Sequence, residues 1–258
     1  MLVDSHAHLN SPELSDELDE VLDRAGKAGV THLLTIGCVS PDLEAITQGL
    51  NLVQEHANIF AALGVHPHDA QGYTAEIGGK ILQTMSHPKV IGWGEIGLDY
   101  YYQNSDAESQ ITCFRSQLEL ALQAQKPVII HSRAAAEPTC SILEEYVQDG
   151  LRGVLHCFTY DQTTADRCLD FGFYLSFGGI VTFPRAEELQ SIARQTPPDR
   201  YLLETDSPYL APVPFRGKTN QPAYVVKVAE KLAELRNVDL ETIARESTKN
   251  FERLFGLG

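Results

Sequence analysis

Residues 1–10, MLVDSHAHLN, open on an apolar pair, Leu2-Val3, that gives way at once to polar residues carrying His6 and His8. Read as a strand from Leu2 to Leu9, the stretch puts both imidazoles on one face, because alternate side chains of a strand share a side. Neutral imidazole is a common metal ligand, so two of them on one rigid strand are a sound start for a divalent-metal site. A His-x-His pair carries little weight by itself. Its weight comes from the strand's place in the rest of the chain.

Working outward, strand-like and helix-like segments alternate. Leu14, Leu18, Val21, Leu22 and Ala25 mark a helical stripe over 15–29, followed by a β-branched strand over 30–36. Ser40-Pro41-Asp42 has the form of a helix start, with Ser as cap and Pro at the first helical position. Further strands are expected over 59–65, 90–96, 127–130, 153–158, 173–177 and 201–203. Helices are expected over 77–85, from the capping-box spacing Ser105-Asp106-Ala107-Glu108 to about 125, through 146, and over 163–169, 186–193, 221–236 and 240–255. Eight strand–helix units in 258 residues, with no linker, repeat or shift in composition, predict an α/β fold. That fold is a single-domain (β/α)8 TIM barrel spanning residues 1–258.

In such a barrel the catalytic groups sit at the C-terminal ends of the strands. Those ends carry His6 and His8, His66 with His68, Glu95, His131, His156, and then Glu204 and Asp206. Each of these residues has an ordinary structural explanation. Their joint position at one mouth does not, and it predicts a metal site there.

The same residues carry a resemblance. VDSHAHLN, GVHPH (64–68), GEIGLDYY (94–101), IIHSR (129–133), LHCF (155–158) and LLETDSPYL (202–210) resemble the TatD family of metal-dependent hydrolases, within the amidohydrolase-like barrels. The tail APVPFRGKTNQPAYV (211–225) is similar to that family's loop after the last strand. The resemblance implies metal-dependent phosphodiester hydrolysis: a deoxyribonuclease with 3′–5′ exonuclease character, acting on DNA 3′ ends. It also implies two divalent ions per chain. His6 and His8 would hold one with Asp206, and Glu95 would bridge to a second held by His131 and His156. Related barrels often use a carbamylated lysine as the bridge, and here position 95 is already a carboxylate.

Chemistry agrees with these roles. A divalent ion lowers the pKa of bound water so that hydroxide is available near neutral pH, and Asp206 could accept the proton released as attack begins. Glu95 and Asp206 are thus the candidate catalytic carboxylates. Glu204, expected on the same strand face as Asp206, is read as a hydrogen-bond partner to a ligand or part of an extra metal site, against a buried carboxylate paired with an arginine. His66 is a candidate for substrate phosphate or a further ion, while His68 could equally shape the loop. Asp99 either orients a ligand or forms a turn. Imidazole-rich ligation suits zinc, manganese or iron, whereas the resemblance implies magnesium.

The net charge of −15 argues against a broad polyanion-binding face. Two divalent ions would change it only to about −11, leaving a positive mouth on an acidic body suited to small or frayed single-stranded ends. Arg133 and Arg216 (with Lys218) are the candidate phosphate contacts, with solvated loop charge as the alternative. Gly178-Gly179 reads first as a turn, and Tyr100, Tyr101 and Tyr102 could stack on a base. The acidic surface keeps a second reading open: hydrolysis of a small amide, lactone or ester, including aminoacyl-tRNA editing. A third is metal binding without catalysis.

No apolar stretch is long enough for a membrane span, and no basic-then-apolar leader precedes the first strand. Five cysteines, none in a C-x-x-C, read as reduced core thiols, and Cys157 is expected to face away from its ligand neighbour. The expectation is a cytoplasmic monomer with no membrane partner.

Overall fold

Eight apolar runs become eight parallel strands that pair in sequence order. They are β1 (Leu2–Ala7), β2 (Val30–Cys38), β3 (Ile59–Gly64), β4 (Val90–Asp99), β5 (Val128–Arg133), β6 (Gly153–Leu155), β7 (Tyr174–Phe177) and β8 (Tyr201–Leu203). The computed structural model describes residues 1–40 and 43–257. Among these, the helices are α1 (Pro12–Ser15), α2 (Leu18–Lys27), α3 (Glu44–Glu55), α4 (Ala75–Thr84), α5 (Ala107–Gln123), α6 (Ala136–Val147), α7 (Gln162–Asp170), α8 (Glu187–Gln195), α9 (Val225–Arg236) and α10 (Leu240–Phe255). This is a (β/α)8 barrel. No described helix is long and apolar enough to cross a membrane. The Ser40-Pro41-Asp42 helix start falls partly outside the described residues.

The two edges of the sheet meet just past β8. Ala7 bridges Ser207, the His8 amide donates to the Ser207 carbonyl at 2.8 Å, and the Asp206 amide donates to the His6 carbonyl at 2.9 Å. Beneath this seam the buried Asp4 carboxylate accepts from the Thr205 amide (2.9 Å) and hydroxyl (2.6 Å). Closure therefore brings the first and last site residues together across 200 positions of sequence.

Helix starts follow side-chain chemistry. Asp106, Asp161 and Asp239 each accept from the backbone amide three residues on, satisfying a donor that the helix itself leaves free. The cap of α5 is thus Asp106, not the Ser105 of the capping-box reading. Ser105 instead donates to the His68 carbonyl and accepts from the Gln71 amide, tying two loops of the barrel mouth together.

One buried apolar cluster takes Val3, Leu34, Ile36, Ala62, Ile91, Ile129, Val154, Tyr174 and Leu202, at least one from each strand, with Phe251, Leu254 and Phe255 of α10. A cluster drawn from all eight strands lies inside the barrel, so the last helix plugs one end and the site occupies the other. Phe251 is almost fully buried, and its ring lies 4.7 Å from that of Phe255. Phe251→Ala is expected to cost about 3–5 kcal/mol, the usual range for emptying a buried aromatic site, read as a lower denaturation midpoint in urea. A loss below about 1 kcal/mol would show that the plug does not hold the barrel floor.

Candidate metal centre

Glu95 projects from the middle of β4 into the mouth and is 2% exposed. Its two oxygens face different neighbours. Oε1 lies 2.8 Å from His131 Nδ1, 2.7 Å from His156 Nε2 and 3.6 Å from His66 Nε2. Oε2 lies 3.4 Å from His6 Nε2 and 3.9 Å from His8 Nε2. On that second side Asp206 Oδ1 stands 3.8 Å from His6 Nε2 and 3.5 Å from His8 Nε2. The six residues expected to ligate metal therefore converge, with Glu95 between two groups.

Three overlapping clusters present donor atoms close enough to share an ion: His6, His156 and Asp206; His6, His8 and Glu95; and His66, Glu95 and His131. His66 thus lies against the cage itself, nearer than a contact for substrate alone requires.

The donor set fits a cation. His6 is fully buried, yet among the described residues neither of its ring nitrogens makes a well-formed hydrogen bond, and His156 Nδ1 is also without one. Buried polar atoms are rarely left so. Burial and the neighbouring His156 hold His6 below its usual pKa, which favours the neutral, ligating imidazole. Burial opposes ionisation of Glu95, but the charge of His156 and hydrogen bonds from His131 and His156 outweigh it and hold the carboxyl well below its usual range. Burial pushes Asp4, beneath the cage, up to about 8 despite its hydrogen bonds from Thr205 and His6.

Around the cage, Asp99 performs both roles weighed for it. Oδ2 lies 3.0 Å from His131 Nε2 and 3.0 Å from His68 Nε2, while Oδ1 accepts from the Tyr101 and Tyr102 amides at 3.0 and 2.9 Å. A carboxylate on the far nitrogen fixes the ring of a ligating histidine and raises its basicity. Glu204 serves His156 similarly: Oε1 is 3.5 Å from His156 Nδ1 and accepts from the Cys157 amide at 2.6 Å. Its ion-pair neighbour among the described residues is this histidine, not an arginine.

Two alternation arguments fail here. Strand β8 ends at Leu203 and Asp206 takes a positive φ of 56°, so Glu204 and Asp206 do not share a strand face; Glu204 meets His156, and Asp206 lies by His6 and His8. Strand β6 ends at Leu155 and Cys157 has φ 45°, so Cys157 is not on a strand facing away. Burial, with Asp206, Glu204 and Glu95 close by, raises its thiol pKa well above the ordinary value.

Of the expected phosphate contacts, Arg133 is exposed on the rim, packed on Tyr101 and Tyr102. Arg216 lies over Phe183, its guanidinium carbon 4.2 Å from the ring centre, and Lys218 lies near Phe215. The structure does not bring that second pair into contact with the cage. Gly178-Gly179 is the turn expected: a Cβ on Gly179 would run into the Leu210 carbonyl. Asp4 escaped the sequence reading, although its place two residues before His6 continues the same strand period.

An eight-stranded parallel barrel whose strand ends gather five imidazoles and two carboxylates into overlapping ligand sets is the architecture of a metal-dependent hydrolase. Comparison with known proteins places it more closely. The model of the TatD related DNase family matches residues 3–256, and the chain belongs to that family. It is 42% identical over 255 residues to YabD of Bacillus subtilis, an uncharacterized metal-dependent hydrolase, covering 99% of both chains. It is 33% identical over 262 residues to the 3'-5' ssDNA/RNA exonuclease TatD of Erwinia amylovora, covering 99% of this chain and 100% of that one. The crystal structure of the TatD homolog YjjV from Escherichia coli superposes with a TM-score of 0.93 at 29% identity, over 100% of this chain and 98% of that one.

Proposed function

We propose that this chain removes nucleotides from the 3′ ends of single-stranded nucleic acid, DNA foremost, by hydrolysing phosphodiester bonds with two divalent metal ions. The observation that carries the reading is the division of Glu95, one oxygen toward His131 and His156 and the other toward His6 and His8. A carboxylate so placed between two sets of imidazoles suits a pair of cations, because its charge offsets part of their repulsion. The relationship to an exonuclease of Erwinia amylovora along nearly the whole of both chains supports the choice of substrate.

His6, His8 and Asp206 would hold one ion, His131 and His156 the other, and Glu95 both, with His66 beside them. When bound, such ions supply Lewis acidity and positive charge where phosphate oxygens gather negative charge. Asp206 provides the proton acceptor. Burial works against its ionisation, but the hydrogen bond from His8 and the charge of His156 hold it below the usual carboxylate range, so an oxygen is free to take a proton at neutral pH. Asp99 and Glu204 keep His131 and His156 oriented. The acidic body disfavours long duplexes, leaving flexible ends as the substrates able to enter the mouth.

The test offers manganese- or magnesium-loaded protein labelled single-stranded DNA with a free or a blocked 3′ end, beside a panel of small amides, esters and lactones. Shortening of the free-ended strand, with the blocked one spared, is the expected result. Turnover confined to the panel would replace this reading with amide or ester hydrolysis.

A further inference from the structure

The rim after β4 and β5 carries an arrangement that the metal cage does not require. The guanidinium carbon of Arg133 lies 4.4 Å from the ring centre of Tyr101 and 4.6 Å from that of Tyr102. The two rings stand nearly perpendicular, 89°, with centres 4.9 Å apart. Tyr101 is 62% exposed and Tyr102 53%, whereas Tyr100 beside them packs against the core. Arg133 is exposed too, and in a chain of net charge −15 no carboxylate among the described residues forms an ion pair with it. Two exposed rings and an unneutralised planar cation make a corner of π-faces open to solvent.

This corner is tied to the cage by one carboxylate. Asp99 Oδ1 accepts from both tyrosine amides while its Oδ2 meets His131 and His68. The Tyr102 ring also stands edge-on to His68, centres 5.5 Å apart. The strand ladder fixes the cation as well: Asp99 pairs with Arg133, and the Tyr100 amide donates to the Arg133 carbonyl at 2.9 Å. The corner and the metal ligands thus hold a set separation.

We propose that Tyr101, Tyr102 and Arg133 form a stacking subsite for the 3′-terminal nucleobase, a proposal resting on the exonuclease reading above. Tyrosine faces and a guanidinium plane both stack on bases of any sequence, and the guanidinium charge complements the flanking phosphates. The place of the corner beside the cage selects this occupant over a separate protein partner. A base seated there would have its own phosphodiester on the cage side of the corner, the side on which Asp99 meets His131 and His68. The subsite selects single strands, because a paired terminal base is not free to stack.

The test compares two labelled single-stranded oligonucleotides that differ only in the last nucleotide, adenine in one and abasic in the other. For the parent, kcat/KM is expected to be about tenfold higher on the adenine end, in line with the usual strength of base–aromatic stacking. In Tyr101→Ala combined with Tyr102→Ala that ratio falls toward one, and in Tyr101→Phe it is kept. A binding readout accompanies it: terminal 2-aminopurine, on a strand with an uncleavable final linkage, is quenched by the parent and by Tyr101→Phe but not by the double alanine variant. An unchanged ratio and intact quenching in the double variant would overturn the subsite while leaving the exonuclease reading in place. Failure of the parent to cut either oligonucleotide would remove both.

Discussion

Asp206→Asn is expected to fold as the parent does and to lose roughly 10²–10⁴-fold in turnover, the range that a positioned proton acceptor contributes. The fold should tolerate the change because asparagine matches aspartate in size and accepts the left-handed backbone, φ 56°, that residue 206 adopts. The residue is also anchored by main chain: its amide donates to the His6 carbonyl at the barrel seam, and substitution leaves that bond in place. What is lost is charge and basicity, at an oxygen 3.5 Å from His8 Nε2 and 3.8 Å from His6 Nε2. The amide cannot take a proton and is a poorer ligand, so the two losses need separating. Metal content measured beside kcat does this: an occupied site with collapsed kcat identifies proton transfer, and lost metal identifies ligation. Parent-like kcat with metal retained would remove Asp206 from the reaction.

The ease with which the sequence disclosed this site has a physical origin. In a parallel barrel the candidate ligands stand where polar groups interrupt or end the apolar runs, so reading those breaks finds His6, Glu95, His131 and His156 without knowledge of their contacts. The same logic weakens wherever strands are short. With β6 and β8 only three residues long, positions 156–157 and 204–206 lie beyond the strand ends, with positive φ at Cys157 and Asp206, and alternation no longer says where a side chain points. That is why the strand argument does not apply to Cys157 and the expected shared face of Glu204 and Asp206 is absent. Asp4 stayed hidden for another reason. Its partner is Thr205, two hundred positions away, and only closure of the barrel brings the two together. The aromatic corner was half legible: three consecutive tyrosines were visible, but that Tyr100 is the packed one and Arg133 stacks on the other two depends on the β4–β5 register.

The larger effect is expected from Glu95→Ala, which should leave at most one ion per chain and abolish measurable turnover. Two divalent charges roughly 4 Å apart, the spacing usual in two-metal sites, repel by on the order of 15 kcal/mol at an effective dielectric near 20. An anion between them offsets part of that cost, and Glu95 is the carboxylate among the described residues whose two oxygens divide between the histidine groups. The halves are not equivalent. The side of His6 and His8 retains Asp206, so an ion there keeps an anionic ligand. The side of His131 and His156 meets Asp206 only through the set it shares with His6 and His156, while Asp99 and Glu204 reach it through the far nitrogens of those rings. The ion beside His131 and His156 should therefore depart first. Glu95→Gln separates charge from shape, because it keeps the side chain's volume and hydrogen-bonding reach while discarding the charge. Elemental analysis of both variants after gel filtration tests the point: one ion per chain in each is the expected result. Two ions retained by the glutamine variant would show that Glu95 does not bridge, and the division of its oxygens between the two histidine groups would need another explanation.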